Sequence, residues 1–288
     1  MKKYTHFYTL LLWTLSFFKG FSSSQLPDLL IYKGDTVPIY ANPLEQLYAK
    51  SSSRPNFFGS KHECTSTSCW RGYYAEWEII NNEIYLTGIF SCCDEHRETK
   101  ADLKELFGNQ CVNGKVKAVW VTDTFISPQG KLLHHVHMGY GSVYEKELEF
   151  QFKEGKLLGI KSYDNSKSRT SFYKANQKAL MKFIDRKINW SILPNNKGKI
   201  RVFVQFSANI NGLIDRAEVI RGYSKVFDKE AIRVVKSIPQ WDVLYSHGQF
   251  IRMNYILPVI FNYEKKGNYR AKKTKNYLYS HRSYKAIR

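Results

Sequence analysis

All five cysteines of this 288-residue chain, Cys64, Cys69, Cys92, Cys93 and Cys111, fall in one stretch, and none follows Cys111. Whether such residues form disulfides depends on the compartment in which the chain folds. The start of the sequence bears on that. Lys2 and Lys3 precede an apolar run from Phe7 to Phe18, and Lys19-Gly20 and Ser22-Ser23-Ser24 follow it. A charged start, a short apolar core and a small-residue exit read as a secretory signal over residues 1–24. A membrane span needs about 20 apolar residues, so a marginal inner-membrane anchor is the lesser alternative. The expected location is therefore the periplasm or cell envelope. There all five cysteines are disulfide candidates, and their odd number leaves at least one thiol over. Adjacent Cys92 and Cys93 on a strand point to opposite faces, so they do not easily share a partner. His62 and His96 lie near them, but no C-x-x-C spacing is present, and no metal is expected.

The cysteines also divide the chain into a front half of about 25–165 and a back half without them. The front half reads as β-rich. Leu29 to Tyr32 and Val37 to Tyr40 flank the Gly34-Asp35 turn, and Pro43 opens a short helix over 44–49. Ala75, Trp77 and Ile79 alternate with Glu76 and Glu78, turn at Asn81-Asn82, and return through Ile84 and Leu86. A short helix carries Leu103, Leu106 and Phe107, with Thr99 as its expected cap. Residues 115–128 read as one strand, and a second hairpin turns at Glu154-Gly155. His134, His135 and His137 form a histidine-rich stretch without a third ligand at informative spacing. No nucleophile elbow, phosphate loop or zinc-protease motif occurs, so no catalytic residue and no cofactor are expected.

The back half, 166–263, alternates helix and strand. A helix covers about 171–190, with Phe172, Ala175, Ala179, Phe183 and Ile184 on one face. Val202, Val204 and Phe206 alternate into a hairpin at Asn211-Gly212, a dipeptide suited to a two-residue turn. The return strand runs from Leu213 to Ile220, and Gly222 then frees the chain. Phe227, Ala231, Val234, Val235 and Ile238 mark a second helix that Pro239 stops. A last strand spans Phe250 to Phe261. Pro258 lacks the N–H that a central strand donates, which places this strand, or its end, at a sheet edge.

The segments "ALMKFIDRKINW", "GKIRVFVQFSANINGLIDRAEVIRG", "FDKEAIRVVKSIPQW" and "ILPVIF", in this order, resemble the C-terminal domain of TonB, the energy transducer of outer-membrane receptors. The resemblance covers about residues 175–262. It implies an α+β fold: two helices on a three-stranded antiparallel sheet, here after a β-rich domain. It also implies binding of a receptor peptide, the TonB box, by addition to the last strand. Phe250, Ile251, Arg252, Met253, Asn254, Tyr255 and Ile256 are the expected partner-peptide edge. The chain departs from the family in having Ser191 after Trp190, and its eight prolines are scattered rather than gathered into a spacer.

The formal net charge is +19, and the end of the chain, 264–288, is almost wholly basic or tyrosine-bearing. Such a tail buries too little apolar area to fold alone and is expected to be disordered, with an anionic surface as its partner. The functional expectation is a non-enzymatic, TonB-like envelope protein that binds a partner peptide in outer-membrane transport. The alternatives are a secreted or envelope adaptor without energy coupling, and an enzyme with its site in the front domain. Self-pairing of the edge into a homodimer is a further expectation of the same chemistry.

Overall fold

The computed structural model describes residues 25–49, 54–59, 66–94, 98–137, 139–196 and 198–264. The expected signal, Cys64, His62, His96 and the basic tail beyond Glu264 lie outside them. The chain is mixed α+β and divides between Tyr163 and Asp164 into two compact units.

Among the described residues, the first unit is a nine-stranded sheet with two short α-helices. Its strands are β1 (Asp28–Tyr32), β2 (Asp35–Ile39), β3 (Tyr73–Ile80), β4 (Glu83–Ser91), β5 (Cys111–Val112), β6 (Lys115–Lys117), β7 (Asp123–His134), β8 (Val143–Lys153) and β9 (Lys156–Asp164). The main path runs β2-β1-β3-β4-β9-β8-β7, with β6 pairing on β4 and β5 on β6. The Tyr40 N–H, just past β2, donates to the Ile126 carbonyl of β7 at 2.7 Å. The two end strands therefore meet, and the sheet curls around its core. Leu30, Trp77, Ile84, Leu86, Phe125 and Phe150 are fully buried there. Two turns fall where the sequence places them, at Asn81-Asn82 and Glu154-Gly155, and the first lies one residue earlier than expected, at Lys33-Gly34, because Asp35 already pairs with Tyr32.

Two local expectations change. The helix α2 (Leu103–Phe107), which follows α1 (Pro43–Tyr48), is capped by Asp102, whose carboxylate accepts from the Lys104 and Glu105 N–H groups. Thr99 is not its cap, because the helix begins later than the pattern suggests. The expected strand over 115–128 is broken between β6 and β7. Ala118 and Val121 are buried at that break, and their neighbours turn the chain across the sheet.

The second unit places α3 (Phe172–Ala175), α4 (Gln177–Lys187) and α5 (Lys225–Lys236) with β10 (Lys199–Ala208), β11 (Ile214–Arg221), β12 (Leu244–Ser246), β13 (Gln249–Ile251) and β14 (Tyr255–Asn262). The long helix read from the sequence is split. Asn176 ends α3 and turns its side chain to accept the Ala179 N–H, capping α4. The sheet is antiparallel in the order β11-β10-β14, so β14 is an end strand, as Pro258 requires. Leu180, Ile184, Phe227, Ala231, Val234 and Val235 of the helices pack on Val202, Val204, Phe206, Val259 and Phe261. The Phe227 and Phe261 rings meet edge to face at 5.1 Å.

The β10–β11 connection is longer than a two-residue turn. Asn209 closes it: its backbone N–H donates to Leu213, and its side chain accepts from the Asn211 and Leu213 N–H groups. Gly212 has positive φ and Asn211 does not. The side chain of Asn209 thus stabilises a five-residue loop in place of the tighter turn.

Candidate peptide-docking edge

The expected edge strand over 250–256 is not a single element. His247 and Gly248, with φ of 51° and 70°, form a tight turn between β12 and β13. Phe250 pairs with Tyr245 and Ile251 with Leu244, so their ladder positions are taken by the preceding segment. Arg252, Met253 and Asn254 lie between strands. Only Tyr255 and Ile256 belong to β14. The continuous β pattern hid this break because a hairpin and a long strand share the same alternation.

Arg252 explains where the chain goes instead. Its guanidinium donates to both carboxylate oxygens of Asp215 at 2.6 and 3.1 Å, and to the Ser207 hydroxyl at 3.2 Å. A planar fork on a carboxylate is the geometry arginine suits best. It ties the approach to β14 to the starts and ends of β11 and β10. This arginine holds the sheet together rather than presenting itself to a visitor. Its hydrogen bond and charge keep the Asp215 carboxyl below the usual range. Tyr255 is also engaged inward. Burial, then the neighbouring Asp242 carboxylate that it hydrogen-bonds, pushes its phenol well above the ordinary value. Lys174 pairs with the same carboxylate at 2.6 Å.

The unpaired edge of the sheet therefore starts at Tyr255. Its register on β10 is unbroken from Phe206↔Tyr255 to Lys199↔Asn262. The direction of its backbone groups follows from two observations. Pro258 stands opposite Phe203, and the Tyr263 N–H donates to the Gly198 carbonyl. Odd-numbered residues thus turn their peptide groups toward β10, and even-numbered ones turn them away. The N–H groups of Ile256, Ile260 and Asn262 face outward, with the carbonyls of Ile256, Pro258, Ile260 and Asn262. Pro258 falls where its missing N–H costs the internal ladder nothing.

The two ends of this sheet differ. β11 carries Asp215, Arg216, Glu218 and Arg221, and its pairing with β10 shifts register twice. Charges and irregularity are what protein edges use to discourage pairing. β14 reads YILPVIFN, with no charged residue, and has no such irregularity. Ile256 on it is 58% exposed. Pro258 is the one blunting residue it has.

The cysteine candidates sort as follows. Cys69 and Cys92 form a disulfide, Cys93 is disulfide-bonded, and Cys111 is a buried free thiol in the first unit. Cys64 lies outside the described residues. The His135 and His137 rings stand 4.8 Å apart, centre to centre, but no group of three or more His, Cys, Asp or Glu among the described residues has the geometry to hold a metal.

The first unit holds a polar cluster that no motif announced. Asp28, wholly buried, accepts from Arg71 at 2.9 Å, from the Ala75 N–H at 3.1 Å and from the Trp77 indole at 3.0 Å. Burial pushes its carboxyl up, and the Arg71 charge and these hydrogen bonds pull against that. Burial likewise opposes the Arg71 charge, and Asp28 together with Tyr140 and Tyr73 outweighs it. Arg71 also reaches the Leu26 carbonyl at 3.0 Å, and the Tyr140 hydroxyl donates to the same oxygen at 3.1 Å. Burial raises the Tyr140 phenol to about 12. These hydrogen bonds all stay within the first unit, and the cluster reads as a structural tie between β1 and β3.

Compared with protein-family models, with curated proteins and with solved structures, the chain matches none. Among the described residues, no helix is long and apolar enough to cross a membrane.

Proposed function

We propose that residues 166–263 are a peptide-docking module of the TonB type, acting in the cell envelope, which captures an extended segment of a partner by strand addition along β14. The observation that carries this reading is the uncharged, regular outer edge of β14, beside a β11 edge that is charged and irregular. Outward N–H groups at Ile256, Ile260 and Asn262 and four outward carbonyls supply the pairing that β-augmentation uses. The helices on one face and the Arg252–Asp215 fork hold that edge in place before a partner arrives, which lowers the ordering cost of docking. Outer-membrane receptors are the partner class that the TonB resemblance suggests. No chemistry on the peptide is part of this role.

The test is backbone hydrogen exchange on the full chain, read residue by residue, with and without an extended receptor-derived peptide. Outward amides of a free edge exchange fast, and a fourth strand protects them. The reading expects the amides of Ile256, Ile260 and Asn262 to be unprotected alone and slowed on binding. The reading is wrong if the peptide binds without slowing them. It is equally wrong if they are already protected in the free chain, for instance by a second copy paired through β14.

A further inference from the structure

The charge of the chain is not spread evenly. Residues 166–263 carry seventeen Lys and Arg against six Asp and Glu, whereas residues 25–165 carry fifteen against eighteen. Part of the excess faces the β14 edge. One face of the β11-β10-β14 sheet is covered by α4 and α5. On the other, Lys199, Arg201, Phe203 and Gln205 of β10 alternate with the residues buried beneath the helices. Register brings Gln205 opposite Ile256, Phe203 opposite Pro258, Arg201 opposite Ile260 and Lys199 opposite Asn262. This face therefore changes character along β14. Beside Ile256 and Pro258 it carries the uncharged Gln205, which donates to Glu218, and Phe203, and beside Ile260 and Asn262 it is cationic. Arg221 adds to it, with its guanidinium 5.8 Å from the Phe203 ring centre.

Lys199 and Arg201 are both exposed, and neither has an acidic partner among the described residues. That contrasts with Lys174, Arg233 and Arg252 of the same unit, each of which has a carboxylate. We infer that the segment docking on β14 is an extended acidic peptide, apolar on this face beside Ile256 and Pro258 and acidic at the two alternate positions beside Ile260 and Asn262. This deepens the strand-addition reading and rests on it. Strands are spaced roughly 4.8 Å apart, so an added strand lies roughly 10 Å from β10. A glutamate on it and Arg201, both long side chains, together span a distance of that order across Ile260. An uncharged edge with cations one strand behind it attracts an acidic visitor, and it repels a basic one before any backbone pairing forms.

The experiment uses the full chain and short acetylated peptides. On one face these read valine, valine, glutamate, glutamate at alternate positions, in both chain directions, with threonine between. Controls replace both glutamates by glutamine or by lysine. At ionic strength about 0.01 M the glutamate peptide should bind about tenfold tighter than the glutamine one, and the lysine peptide weaker still. The gap should close at about 1 M salt, where the Debye length falls to ~3 Å. In Arg201→Glu the order of glutamate and lysine peptides should reverse. Arg201 lies on the exposed face, so this variant leaves the core intact. If glutamate and glutamine peptides bind equally and both slow exchange at Ile260, the acidic preference is overturned and strand addition stands. If the glutamate peptide binds more tightly than its controls but slows no amide of β14, the site lies elsewhere and both readings fall.

Discussion

Replacing Asp28 by asparagine removes one charge and changes one atom, yet the structure makes it a severe substitution. Asp28 is wholly buried and the Arg71 side chain is 1% exposed. One carboxylate oxygen accepts from Arg71 and from the Ala75 N–H, and the other accepts from the Trp77 indole. Asparagine has only one acceptor oxygen. In either orientation its NH₂ group meets a donor: the Trp77 indole in one, Arg71 and Ala75 in the other. An unsatisfied buried donor costs about 1–3 kcal/mol. The Arg71 charge is at the same time left without its counter-ion, and breaking a buried pair on one side costs about 3–5 kcal/mol in all. That is a large part of the ~5–15 kcal/mol that holds a typical domain. Urea-dependent hydrogen exchange of the β3 amides around Trp77 reads the loss in the first unit alone. The paired change Asp28→Asn with Arg71→Met should recover the part of it that belongs to the uncompensated charge, because one unsatisfied donor but no lone buried charge then remains. A loss under about 1 kcal/mol for Asp28→Asn, or a double variant no better than the single ones, would show that the two charges do not depend on each other.

The Cys69–Cys92 disulfide closes a loop of sequence separation 23, and loop entropy gives it about 3 kcal/mol. Cys69→Ser with Cys92→Ser should lower the urea midpoint of the first unit accordingly and leave the second unit unmoved. The Arg252–Asp215 fork makes the second unit sensitive to acid. The Asp215 pKa is depressed in the folded state by its hydrogen bond and charge contact with Arg252, so in the acid window the unfolded chain binds more protons. The contribution of Asp215 is present above its unfolded pKa and is lost as pH falls through the lower folded value. Urea midpoints of the second unit measured on acidification should fall more steeply for the natural chain than for Asp215→Asn, and parallel curves would refute the pairing.

Local chemistry made much of this fold readable from residue order. Gly34, Asn81-Asn82 and Gly155 reach positive φ at little cost, so the hairpins beside them were visible without a structure, the first of them to within one residue. Pro258 marks an end strand because its missing N–H is a property of the residue itself. The stripe from Phe227 to Val235 likewise required a helix with one buried face. The β14 edge was less legible. Residues 249–262 share one alternating pattern, and only the β12 contact and the pull of Asp215 on Arg252 divide them at 252–254. Lys199 and Arg201 gain their place from the register between β10 and β14, fifty and more residues apart, which no local pattern records.

The same holds for Asp28 and Arg71. Neither sits in a motif, and they meet because β1 runs parallel to β3. Turns, helix faces and the proline edge depend on forces acting within a few residues, and those are written in the chain. The free row of peptide groups on β14, the cations behind it and the buried ion pair depend on which distant strands become neighbours. That choice belongs to the burial of the whole core.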